Sequence, residues 1–262
     1  MHAPRIGTQI ESWIETSARQ WRHGRIVRNR LAERGPALQA ALRKATPESV
    51  LLVGNSHAEF LGNPDFGGRP SINLGLGGST AADCATYLAG LRAPARCAAA
   101  ILIIGTNDIM RWRHPERVGT ERRFEAAVRR ILRVLDAWAA QVFVASVPPI
   151  GAWTTGRDPA AVAAFSDRLE GLCRAGGHSF FDPFAGLRDG GPGCACTGLA
   201  CTGLACTGLD PDGVHLADYT RLAAEVIRLV ALDPAPPAPR KRAAVPAGSL
   251  RGLHAAAWGL RP

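Results

Sequence analysis

The run Val50-Leu51-Leu52-Val53 constrains this chain more than any other stretch, because an unbroken apolar segment stops abruptly on Gly54-Asn55-Ser56. A short apolar run bounded by turn formers reads as a strand buried on both faces. Gly54 and Asn55 accept tight backbone angles, and Ala58-Glu59-Phe60-Leu61 can open a helix, so Ser56 is expected at a strand-to-helix corner. Such a corner presents a side chain as a nucleophile would be presented. A helix N-cap, for which Ser is a preferred residue, is the plainer reading of the same position.

The segments that follow repeat this alternation. Ser71 to Gly75, Ala98 to Ile104, Gln141 to Val147 and His178 to Phe181 read as further strands. Between them, helices are expected over Ala81–Leu91, Glu121–Ala140 and Pro159–Ala175, with a final amphipathic helix over Leu216–Leu232. In the second of these, Phe124, Val128, Ile131, Leu132, Leu135 and Trp138 fall on one stripe. Asp158 is a candidate N-cap, and Gly176-Gly177 a stop, for the third. Strands alternating with helices predict an α/β fold with a mostly parallel five-stranded sheet covered on both faces.

Ahead of the first strand, Ile10 to Arg34 is helix-permissive, Gly35-Pro36 is expected to interrupt it, and a second short helix is expected from Ala37 to Ala45. Ile10, Trp13, Ile14 and Trp21 fall near one face among many Arg residues. That pattern fits a helix packed on the domain; contact of a basic amphipathic helix with an anionic membrane or a partner is the alternative. The net charge of +9 resides in the ends: residues 1–46 carry +6 and residues 234–262 carry +5, which leaves −2 for the middle. The middle has no basic reading helix or aromatic platform, so nucleic acid is not an expected partner. No signal-peptide core opens the sequence, and no apolar run reaches the roughly 18 residues of a membrane span. With an odd count of seven Cys, four of them in one segment, the expected location is cytoplasmic.

Parallel sheets place ligands outside the carboxyl ends of their strands. Ser56, Gly78, Asn107 and the pair Asp212 and His215 each follow a different strand, so four segments deliver a hydroxyl, a backbone N–H, an amide and an Asp/His pair to one rim. Each taken singly reads as a turn, cap or surface residue. A serine hydroxyl is a weak nucleophile until a base takes its proton, which suits His215; Asp212 can accept from the imidazole and favour its charged form. For the oxyanion formed on attack at an acyl carbonyl, the Ser56 N–H, the Gly78 N–H and the Asn107 amide are available donors.

Gly54-Asn55-Ser56, Gly77-Gly78-Ser79-Thr80, Gly105-Thr106-Asn107-Asp108 and Asp212-Gly213-Val214-His215-Leu216 resemble, in order, the four sequence blocks of the SGNH (GDSL-type) hydrolase family. The resemblance covers about residues 48–232. It implies a flavodoxin-like three-layer α/β/α sandwich and serine-dependent ester or thioester hydrolysis without metal or other cofactor. By position, Ser56 is the nucleophile, Asp212 and His215 complete the triad, and Gly78 and Asn107 are oxyanion donors. Asn55 departs from the pattern, which usually has Asp there, so a charge beside the nucleophile is missing. His57 is expected at the rim or in packing. Arg111, Trp112 and Trp153, which follow the third block and the fourth strand, are candidate substrate contacts.

The expected reaction is hydrolysis of short O-acyl or O-acetyl esters of a small molecule or glycan through an acyl-enzyme. Acyl transfer at the same site, or a non-catalytic binding module docking through its basic N-terminal helix, are the alternatives. The chain divides into a basic helical extension (1–46), a hydrolase domain (47–233) and a Pro/Ala-rich basic tail (234–262) expected to be disordered. Ala-Cys-Thr-Gly-Leu occurs three times without change at 195–199, 200–204 and 205–209. Its five-residue period does not match zinc-ligand spacing, so a lengthened loop beside the site is expected, not a metal centre.

Overall fold

A computed structural model describes residues 6–151, 153–187 and 208–232. Strands β1 (Val50–Gly54), β2 (Ser71–Asn73), β3 (Cys97–Ile103), β4 (Ala139–Ala145) and β5 (Ser179–Phe181) form one sheet in the order β2-β1-β3-β4-β5. Every neighbouring pair is parallel, so the connections are crossovers that lay helices on the faces. The helices are α1 (Ile6–Leu42), α2 (Ser56–Phe60), α3 (Ala81–Gly90), α4 (Val118–Trp138), α5 (Pro159–Gly176) and α6 (Thr220–Leu232). The result is the expected three-layer α/β/α sandwich with flavodoxin-like strand order.

The apolar runs explain the layers. Along β1, Leu51 and Val53 pack into a core shared with α1, α3, α4 and α5, while Val50 and Leu52 enter a second core with α2 and α6. Strands β3 and β4 alternate in the same way: Ala100, Leu102 and Val144 face the first core, Ile101, Ile103 and Phe143 the second. With both faces buried, no polar alternation remains to be read from these strands.

Helix α1 departs from expectation. Gly35-Pro36 does not break it; Pro36 lies inside one continuous helix. Proline removes the N–H that would bond the Ala32 carbonyl, a local cost. Burial of Val27 before the proline, and of Leu38 and Leu42 after it, anchors both halves to the same core and offsets that cost. This stretch is thus packed against the domain, while Trp21 and Ile26 face outward and the Arg25 guanidinium stacks on the Trp21 ring. At the other end, α6 begins at Thr220 rather than Leu216, because Leu216 pairs with Leu209 in an isolated antiparallel bridge. Most of the Ala-Cys-Thr-Gly-Leu repeat and the whole 234–262 tail lie outside the described residues.

Candidate active site

The corner after β1 is built by Gly54 and Asn55. Gly54 has φ +143°, and a Cβ there would sit 1.8 Å from the Ile103 carbonyl oxygen, so β1 and β3 approach as closely as they do only with glycine. Asn55, not Ser56, caps α2: its Oδ1 accepts from the His57 N–H at 3.0 Å. The cap reading of Ser56 therefore fails, and its hydroxyl is free to point elsewhere. Asn55 Nδ2 has no hydrogen-bond partner among the described residues.

Ser56 Oγ lies 2.8 Å from His215 Nε2, and His215 Nδ1 lies 2.5 Å from Asp212 Oδ2. Asp212 Oδ1 accepts from the Val214 N–H (2.8 Å) and the His215 N–H (3.0 Å). Partial burial alone would raise the Asp212 carboxyl, but these amides and the imidazole outweigh it and hold the group below the usual carboxylate range. An ionised Asp212 only accepts, so His215 Nδ1 carries the proton and donates. In the neutral ring Nε2 is then an acceptor, and the Ser56 hydroxyl donates to it.

The segment after β2 lies against the corner after β1, with Ser79 Oγ 3.5 Å from the Gly54 carbonyl oxygen. Gly78 adopts φ +81°, and its N–H takes part in none of the hydrogen bonds of its loop, which run from Gly77 N–H to Glu59 Oε2 (2.6 Å) and from Ser79 N–H to the Leu76 carbonyl (3.2 Å). Asn107, in the turn after β3, donates from Nδ2 to the Ser79 carbonyl at 3.0 Å, which ties the third block to the second. Asp108, beside it, is buried and accepts from the Ala81 N–H at the start of α3; burial pushes its carboxyl up to about 7 against the pull of that bond.

Trp153 donates from Nε1 to the Pro211 carbonyl at 3.1 Å and, with Thr154, Arg157, Asp212 and His215, lines an open cleft of about 430 Å³. Arg111 and Trp112 are not among the residues lining it. They sit in a short 3-10 helix, Arg111–Arg113, where the Trp112 ring meets His23 of α1 at 5.9 Å and the Arg113 guanidinium stacks on Trp112.

Four neighbours of this site carried no signal in the sequence. Phe60 is exposed with its ring 4.9 Å from that of His215. Arg157 reaches Asn107, and Glu59 reaches Gly77. Tyr219 bonds His57 Nδ1 at 3.2 Å. His57 is fully buried, not at a rim; burial first, and the charges of His215 and Arg157 next, lower it to about 3, so it stays neutral. Among the described residues, no group of three or more His, Cys, Asp and Glu is gathered as a metal site.

The order β2-β1-β3-β4-β5 with every pair parallel defines a protein of the three-layer α/β/α class. The chain belongs to the GDSL-like lipase/acylhydrolase family, whose model matches residues 53–219. Among solved structures it is similar to a GDSL-like lipase from Bacteroides thetaiotaomicron, at 18% identity and a TM-score of 0.56 over 76% of this chain and 97% of that one. It is also similar to a carbohydrate acetylesterase from Sinorhizobium meliloti, at 18% identity and a TM-score of 0.50 over 71% and 99% of the two chains. No curated protein matches.

Proposed function

We propose that this protein hydrolyses short O-acyl esters through an acyl-enzyme formed on Ser56. The observation that carries the reading is the chain of hydrogen bonds from Ser56 Oγ through His215 to Asp212. His215 Nε2 takes the hydroxyl proton as Oγ attacks the acyl carbon, and Asp212 stabilises the imidazolium that results. The imidazolium then protonates the departing alkoxide. Water repeats the sequence on the acyl-enzyme, releasing the acid and returning the proton to Ser56 Oγ. In both steps negative charge gathers on the carbonyl oxygen, and the Gly78 and Ser56 N–H groups with the Asn107 amide are its donors.

A short acyl group and a polar alcohol suit the cleft, whose lining is dominated by Thr, Gly, Arg, Asp and His around a single Trp instead of a long apolar channel. Trp153, 42% exposed, offers a flat surface to the alcohol portion, and a sugar ester fits that role. The likeness to a carbohydrate acetylesterase supports the same substrate class. A cytoplasmic location belongs to this proposal and accords with the free thiols of Cys84, Cys97 and Cys173.

Labelling by a fluorophosphonate probe, with p-nitrophenyl acetate turnover, tests the assignment. Wild type should label and turn over, and Ser56→Ala should lose labelling and at least about 1000-fold of kcat. Failure of folded wild type to label, or turnover that survives in Ser56→Ala, would overturn it.

A further inference from the structure

We infer that Arg157 is a positioning residue that locks the Asn107 amide in the orientation an oxyanion donor needs; the inference rests on the hydrolase reading above. Asparagine Oδ1 and Nδ2 are nearly the same size, so shape alone does not decide which of them faces a substrate. Here the neighbours decide it. The Ser79 carbonyl can only accept, and it takes a hydrogen from Nδ2 at 3.0 Å. A guanidinium can only donate, and Arg157 Nη2 gives a hydrogen to Oδ1 at 3.0 Å. A flipped amide would set Nδ2 against the guanidinium and Oδ1 against a carbonyl, losing both bonds. The second Nδ2 hydrogen is left for a ligand.

The geometry of Arg157 fits this role better than that of a surface charge. Its Nε donates to the Thr106 carbonyl at 2.9 Å, so one planar fork grips a backbone atom and the side chain of the very next residue. The backbone carrying it is held as well: Met110 and Arg157 form an antiparallel bridge, flanked by Arg111 N–H to Gly156 O (3.1 Å) and Asp158 N–H to Ile109 O (3.0 Å). Partial burial of a guanidinium is costly, and it lowers the Arg157 pKa; the nearby Asp212 charge works the other way. The same side chain lines the cleft with Asp212 and His215. A preorganised donor is worth most where it need not reorient during reaction. Arg157 removes that reorientation for Asn107 without itself contacting the reacting atoms.

The test is a double-mutant cycle on p-nitrophenyl acetate hydrolysis by the full chain, with Arg157→Met, Asn107→Ala and the double variant, and Ser56→Ala as the control. Arg157→Met should lower kcat about 10- to 100-fold, less than the roughly 100- to 1000-fold of losing a donor outright, with KM within about twofold. The double variant should be no slower than Asn107→Ala alone, because Arg157 acts through that amide. Arg157→Lys, which keeps the charge but cannot grip both oxygens, should lower kcat at least about fivefold. It is the deciding variant if Arg157→Met does not fold. Wild-type kcat in either folded variant, or losses that multiply in the double variant, would overturn the inference and leave the hydrolase reading intact. Absence of Ser56-dependent turnover in wild type would remove both.

Discussion

Asp108 shows how one side chain beside the rim can link the site to stability. Its carboxyl, ordinarily near 3.8, is pushed up to about 7 by burial. The folded chain therefore holds this proton more tightly than the unfolded chain. Its contribution to stability is complete below about 4 and is lost as the pH rises through about 7. Asp108→Asn removes the titration while keeping one acceptor for the Ala81 N–H. Thermal melts from pH 4.5 to 8 should show the wild-type midpoint falling relative to that of Asp108→Asn as the pH rises. A difference that stays flat across this range would show that the carboxyl does not titrate there. Asn55 makes a related point: an amide keeps the acceptor that caps α2 without placing a buried carboxylate next to Ser56.

Between elements, the contact that matters most for the rim joins α1 to α2 and to the loop after β2. Glu59, its side chain only 10% exposed, takes Arg30 Nη2 at 2.8 Å and Arg34 Nη1 at 2.6 Å on Oε1, and the Gly77 N–H at 2.6 Å on Oε2. A single carboxylate thus holds two residues of the N-terminal helix and the residue before Gly78. Glu59→Gln keeps the shape but leaves two guanidinium groups without their counter-charge. Urea unfolding should report a loss of about 1–3 kcal/mol. The same variant should lower kcat on p-nitrophenyl acetate, since the Gly78 loop loses its anchor; wild-type stability together with wild-type kcat would refute this coupling.

For the molecule as a whole, α1 bears on where the hydrolase domain begins. A boundary at residue 47 would leave out Val27, Leu38 and Leu42, which are buried in the same core as β1 and α3. Burying one such side chain is worth about 1.5–3 kcal/mol, and a whole domain is stable by only about 5–15 kcal/mol. We expect a chain lacking residues 1–46 to lose cooperative unfolding, and Leu42→Ala in the full chain to cost about 2–5 kcal/mol in chemical denaturation. A truncated protein that melts like wild type would instead mark α1 as a detachable extension.

The strands, the sheet class and the four blocks at the strand ends were legible because each is written locally. Val50–Gly54 carries its own burial in its apolar run, and the Gly54-Asn55-Ser56 turn carries its own geometry. The family likeness rests on four such short segments in order. What sequence reading missed lies in pairings across the chain. Arg157 and Asn107 are separated by 50 positions, and Arg30 and Glu59 by 29, so each looks like an ordinary polar residue until folding brings its partner within 3.0 Å. Pro36 misled for the same reason: the local rule against proline in a helix is sound, but it is outweighed by Leu38 and Leu42 seated in a core assembled from distant strands. Local chemistry names the groups at the rim, and burial with long-range pairing settles which way each of them faces.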